Sequence, residues 1–155
     1  MSTPGKRRKP MLAYVVLAVT ALIMVSIFAR IDNWQRDWTT NTARLDPLAD
    51  DPDLRPATLN VTPDQASELL RQWVESESSW TVVKAQETET AINIQLTRTT
   101  RFLRFVDDID VRLIADGGTT RVEAKSESRF GKGDLGQNPR NLKELVRGLE
   151  SLATK

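Results

Sequence analysis

The sequence predicts an α+β fold: an N-terminal transmembrane helix, then a helix, about four antiparallel strands and a C-terminal helix, with the last two helices packed on one sheet face. Three observations carry this expectation. Met11 to Ala29 contains no charged residue. Segments around Leu70 and Leu145 repeat apolar residues at the helical spacing of three and four. Between them, apolar and polar residues alternate with the period of two that marks strands. The expected organisation is a basic cytoplasmic tail at 1–10, a transmembrane helix at 11–31, an interfacial segment and tether at 32–58, and a folded domain at 59–153.

The apolar run from Met11 to Ala29 would rise about 28 Å as a helix, close to the ~30 Å hydrocarbon core of a bilayer. Lys6, Arg7, Arg8 and Lys9 precede it, whereas Arg30 is followed by Asp32 and Asp37. Lys/Arg counting therefore puts the N-terminus in the cytoplasm and the rest of the chain outside, in a single pass through the cell membrane. A cleaved signal peptide fits less well. Its apolar core is shorter, and Ile27-Phe28-Ala29 lacks the small-x-small pattern of a cleavage site. Arg7-Arg8 is a basic pair ordinary in any such flank. Trp34 and Trp38, one helical turn apart, suit the headgroup layer that indole rings favour.

Residues 39–58 read as tether: Pro47, Pro52 and Pro56 lie among Asp46, Asp50, Asp51 and Asp53, without a sustained apolar period. Thr62-Pro63-Asp64-Gln65 is a helix start, with Thr62 as cap, Pro63 at the first helical position and Gln65 completing a capping box. Ala66, Leu69, Leu70 and Trp73 form its apolar stripe, and the helix should stop within 75–79. Trp80 to Glu87 is strand-prone. Ile92, Ile94 and Leu96, then Ile109, Val111 and Leu113, then Val122, Ala124 and Ser126, each alternate with polar neighbours. Phe102 to Phe105 should end one strand or lead into the next. Asp116-Gly117-Gly118 is a tight-turn signal, and short connections require antiparallel pairs. Asn138 as cap and Pro139 as first residue open the last helix, whose stripe is Leu142, Leu145, Val146 and Leu149.

Composition removes several function classes. The 155 residues include 22 Lys+Arg and 21 Asp+Glu, and the four basic residues at 6–9 leave 18 basic against 21 acidic elsewhere. A body of that charge lacks the basic face that nucleic acid requires, so no nucleic-acid partner is expected. The absence of Cys excludes disulfides, thiolate chemistry and a lipoprotein anchor, and the absence of His removes the commonest general base. Ser126, Ser128, Lys125 and Lys132 show no spacing that marks a Ser–Lys nucleophile. No enzyme, catalytic residue, cofactor or metal is expected.

Two motifs remain. Gly131-Lys132-Gly133-Asp134-Leu135-Gly136 is a literal G-x-G-x-x-G, but no second parallel strand follows to complete a dinucleotide-binding unit. The glycines more simply provide positive φ in a compact loop. A weaker reading makes the loop an anion site, with Arg129, Lys132 and Arg140 around the helix N-terminus. Asp107, Asp108 and Asp110 form the second motif. Oxygen ligands suit Ca²⁺ or Mg²⁺, but Arg101, Arg104, Arg112 and Arg121 offer simpler ion-pair partners, and no EF-hand spacing is present.

Arg104-Phe105-Val106-Asp107-Asp108, followed by the run from Ser126 to Asn138 (Ser-Glu-Ser-Arg-Phe-Gly-Lys-Gly-Asp-Leu-Gly-Gln-Asn), resembles the bacterial family known as domain of unknown function 1499. Its pattern is F-x-D-D, then S-x-S-R-x-G-x-x-D-L-G-x-N, then a helix, and the likeness covers about residues 59–150. Many members carry Arg where this chain has Lys125, and also a Pro-Asn-Cys segment and a His that are missing here. No role of those residues carries over. Leu54-Arg55-Pro56 is similar to the membrane-anchored branch. The resemblance implies no activity. It implies a shared signature of Asp107, Asp108, Ser128, Arg129, Gly131, Asp134, Gly136 and Asn138. As one polar cluster, Arg129 would pair with Asp107 or Asp108, and Asp134 and Asn138 would fix the loop and cap the helix.

The expected function is thus a membrane-anchored envelope protein of unknown function, a non-catalytic binding or structural module. Arg129, Lys132, Asp134, Asn138 and Arg140 are the candidate binding residues, and an anionic lipid or an envelope protein is the expected partner class. The alternative is a carboxylate- or metal-assisted hydrolase using Asp107, Asp108 and Asp134.

Overall fold

A computed structural model describes residues 9–29, 34–101 and 104–154 of the chain. The basic residues at 6–8, Arg30 with Asp32, and Phe102 with Leu103 lie outside the described residues. The first element, α1 (Lys9–Phe28), is a 20-residue helix with apolar side chains exposed all round it. Among the described residues no helix is long and apolar enough to cross a membrane, which departs from the transmembrane helix expected at 11–31. A short α2 (Trp34–Thr39) follows.

From there the chain builds a six-stranded antiparallel sheet under two helices. The strands are β1 (Thr42–Arg44), β2 (Ala57–Leu59), β3 (Trp80–Glu87), β4 (Ala91–Thr99), β5 (Val106–Asp116) and β6 (Thr119–Ser128), and the helices are α3 (Pro63–Ser76) and α4 (Gln137–Ala153). The order across the sheet is β1-β6-β5-β4-β3, with β2 beside β1 on the same edge of β6. The expected four central strands are present, joined by hairpins, the β5–β6 pair through the Asp116-Gly117-Gly118 turn.

Two strands more than expected come from the segment read as tether. β1 pairs with Lys125–Glu127 and β2 with Thr120–Val122, so together they cover the free edge of β6. Pro47, Pro52 and Pro56 fall in the break between them, where no ladder hydrogen bond is needed. Leu45, Leu54 and Ala57 are buried, and Asp51 and Asp53 pair with Lys143 and Arg147 on α4. Residues 39–58 are therefore part of the domain rather than a leash. Three-residue strands are too short to show a period.

The core follows the predicted alternation. Register sets Leu96 beside Ile109, Ile94 beside Val111 and Leu113 beside Val122, a continuous apolar face. α3 and α4 cover this face with Ala66, Leu70, Trp73, Leu142, Leu145 and Leu149. Thr62 caps α3 with the full Gln65 capping box, and α3 ends at Ser76, inside the expected window. α4 starts otherwise than expected: its N-cap is Gly136, and Asn138 lies inside the helix. At the other edge, β3 carries a register shift between Val82 and Lys84, the kind of bulge that blunts an open edge.

Candidate functional site

Strand alternation decides which signature residues meet. On β5 the parity that buries Ile109, Val111 and Leu113 also buries Asp107, and turns Asp108 outward. On β6 the parity of Val122 and Ala124 turns Ser126 and Ser128 to the inner face, opposite Ile109 and Asp107. On α4, Asn138 and Asn141 lie three and four residues along the stripe that continues as Leu142, Leu145 and Leu149. The apolar core thus ends in a layer of polar side chains at one end of the sheet. Asp107, Ser126, Asn138 and Asn141 are each no more than 2% exposed.

These side chains hydrogen-bond one another. Ser128 Oγ donates to Asp107 Oδ1 at 2.6 Å, and Asn141 Nδ2 donates to Asp107 Oδ2 at 2.9 Å. Ser126 Oγ donates to Asn138 Oδ1 at 2.6 Å and accepts from Asn141 Nδ2 at 3.1 Å. Asn138 Nδ2 donates to Ser128 Oγ at 3.0 Å and to the Asn41 carbonyl at 2.6 Å. Gln137 Nε2 closes the set on Asn141 Oδ1 at 2.7 Å. An unpaired buried polar group costs about 1–3 kcal/mol, so a network this fully paired specifies one arrangement of β5, β6 and α4.

The network also holds the entry segment. Asn41 Nδ2 donates to the Ser128 and Gly131 carbonyls, Leu135 N–H to the Asp37 carbonyl at 2.9 Å, and Asp134 N–H to the Thr40 carbonyl at 3.2 Å. Asp37 itself is buried. Gly133 lies so close that a Cβ there would stand 2.3 Å from the Trp38 carbonyl oxygen. Gly136 has φ +77°, and a Cβ on it would meet Asp37 Oδ2 and Arg140 Nη1 within 3 Å. Two of the three motif glycines therefore serve the packing of this segment.

The α4 N-terminus is already occupied. Asp134 Oδ1 accepts from Gly136 N–H at 2.9 Å and Asp134 Oδ2 from Asn138 N–H at 2.6 Å, where a bound anion would sit. Capping thus falls to Asp134 alone, and Asn138 is an internal member of the network.

The five expected binding residues do not converge. Asp134 and Asn138 face inward. Arg140 folds back onto the Leu135 carbonyl at 3.1 Å, and Lys132 is exposed on the loop. Arg129 lies outward on Asp108, Nε to Oδ2 at 2.8 Å and Nη2 to Oδ1 at 2.7 Å, a two-bond fork. Of the two partners considered for Arg129, the structure pairs it with Asp108. The Arg129 hydrogen bonds hold the Asp108 carboxyl below its ordinary value against partial desolvation, the guanidinium charge adding less than either, and the same pairing raises Arg129 in turn.

The hydrolase alternative needs Asp107, Asp108 and Asp134 together. They are split between the inner face, the outer face and the helix cap, and no group of three His, Cys, Asp or Glu able to hold a metal occurs among the described residues. A surface groove of about 270 Å³ is on the outer sheet face between Lys84, Asn93, Asp110 and Arg112, away from the signature. Sequence reasoning missed Asp37, Asn41, Ser126, Gln137 and Asn141. For Ser126 and Asn141 a signal existed, since each shares the parity or stripe of core residues. Asp37 and Asn41 join only through tertiary contact.

Comparison with known proteins gives one family. The family described as protein of unknown function (DUF1499) matches residues 30–149, the family read above from the motif. No match is found among curated proteins. Among solved structures, a protein from Thermus thermophilus is similar at 14% identity and a TM-score of 0.36, over 73% of this chain and 97% of that one, a likeness too distant to bear on function.

Proposed function

Since this chain belongs to the DUF1499 family, whose function is unknown, we propose from its own geometry that it is a membrane-anchored cell-envelope protein whose α+β domain is a non-catalytic binding or structural module. The observation that carries this reading is α1. Leu12 is 70% exposed, Tyr14 71%, Leu17 66% and Leu22 75%, and the helix has no polar side. A helix apolar all round is at home in a protein core or a bilayer, and in water it would be an aggregation site. The uncharged run of the sequence, Met11 to Ala29, would rise about 28 Å as a helix, near the ~30 Å of the hydrocarbon layer. The flanking charges favour a cytoplasmic N-terminus. For the domain, the fully paired interior of the signature favours a scaffold that presents its rim to an anionic lipid or an envelope protein.

The test is alkaline carbonate extraction of membranes carrying the full chain with a C-terminal tag, followed by protease treatment of spheroplasts. Retention in the membrane pellet and digestion of the tag from outside are expected. Release by carbonate overturns the anchor, and a protected tag overturns the orientation.

A further inference from the structure

We propose that the end of the sheet bearing Trp38, Phe105 and Phe130 rests on the headgroup layer of the bilayer that α1 enters, taking anionic lipid headgroups as its ligand. This deepens the reading above and rests on it. Chain length comes first. Five residues separate Phe28, the last of α1, from Trp34, the first of α2. Such a link spans at most about 20 Å. The Asp37, Thr40 and Asn41 bonds described above fasten this segment to the 129–136 loop. The link from α1 therefore ends at this end of the domain and at no other.

Topology collects three surfaces there: the α2 segment, the 129–136 loop, and Arg101, Arg104 and Phe105 between β4 and β5, because Thr99 stands opposite Val106 and Asp107 opposite Ser128. Beyond α1, the exposed large apolar side chains among the described residues are Trp38, Leu48, Val83, Phe105 and Phe130. Three of these five are at this end, and all three are aromatic, the residue class that favours the headgroup region.

Charge is polarised the same way. Apart from the Lys125–Glu127 and Arg129–Asp108 pairs, Arg101, Arg104 and Lys132 are exposed at this end, against the exposed Glu75 and the half-buried Glu77, although acidic residues outnumber basic ones beyond the first ten residues. The opposite end, at the two hairpin turns, exposes Glu87, Glu89 and Asp116. A domain so charged is oriented by an anionic surface with its basic aromatic end inward.

The absence of Cys makes site-specific labelling clean. The full chain would carry an environment-sensitive fluorophore on Phe130→Cys or, at the far end, on Glu89→Cys. It would be reconstituted into phosphatidylcholine vesicles with or without phosphatidylglycerol, and contain spin-labelled lipid as quencher. Co-flotation with vesicles, strong quenching at position 130 and none at 89 are expected. Adding Arg101→Ala, Arg104→Ala and Lys132→Ala, or raising salt on the parent protein if that variant fails to fold, should cut the quenching severalfold in phosphatidylglycerol vesicles only. Co-flotation without quenching at 130 overturns the docking and leaves the anchor standing. Failure to float overturns both. Crosslinking from position 130 to a protein in native membranes, without lipid quenching, overturns the lipid as occupant.

Discussion

Replacing Asn138 by Ala removes the side chain that ties three elements together. Asn138 is fully buried and makes three hydrogen bonds, accepting from Ser126 Oγ and donating to Ser128 Oγ and the Asn41 carbonyl. The Asn41 oxygen keeps the Ser128 N–H, and Ser128 keeps Asp107, so each loses one of two partners. The Ser126 hydroxyl, itself fully buried, loses its acceptor. An orphaned buried hydroxyl costs about 1–3 kcal/mol and each further lost bond about 0.5–1.5. A water entering the vacated space recovers part of this. The expected net loss is about 3 kcal/mol, a large share of a typical stability of roughly 5–15 kcal/mol. At about 4 °C per kcal/mol for a domain of this size, Tm should fall by about 12 °C. The assay is urea and thermal unfolding of the full chain in detergent, followed by circular dichroism. Hydrogen exchange gives a local readout: the Asp134 and Leu135 amides, which donate to Thr40 and Asp37, should exchange faster than amides in the β4–β5 ladder. A loss below about 1 kcal/mol, or unchanged exchange at 134 and 135, would refute the view that this network holds the entry segment.

Further outcomes are expected. Asp134→Ala strips the acceptor from the Gly136 and Asn138 amides and should cost about 1–2 kcal/mol, read from the urea midpoint. Gly133→Ala drives a Cβ into the Trp38 carbonyl and should cost about 1–3 kcal/mol, with the strongest exchange increase near residue 134. Asp108→Asn should cost less than about 1 kcal/mol at neutral pH, because the Arg129 fork is exposed and screened by solvent. Its pH dependence has a definite sign. The folded Asp108 carboxyl titrates below its ordinary value of 3.8, so its stabilisation is present above that value and is lost as pH falls through the lowered one. Wild type and Asp108→Asn should therefore converge in stability on acidification below about 4, and a difference that widens there contradicts the pairing.

Much of the fold was legible because its longer elements are periodic. The α3 capping box, the alternation in β4 to β6 and the α4 stripe are local patterns, and each became the expected element. Residues 39–58 were misread because prolines and aspartates hide two strands of three residues, whose pairing to β6 is a long-range event. The signature residues were legible as a group. Their roles were not: adjacent Asp107 and Asp108 look alike in sequence, and only the facing of β5 separates a buried network member from an exposed ion pair.

By itself the sequence determined the uncharged N-terminal run, the helix and strand periods, the absence of Cys and His chemistry, and family membership through its motif, because these depend on residue identity and near-neighbour spacing. Tertiary structure decided that Asn41, far away in sequence, meets Ser128 and Asn138, that Asp134 fills the helix terminus where the weaker reading put an anion, and that aromatic and basic side chains from three separate segments share one end of the sheet. Those outcomes depend on strand register and on how α4 docks, which bring together groups up to 97 residues apart.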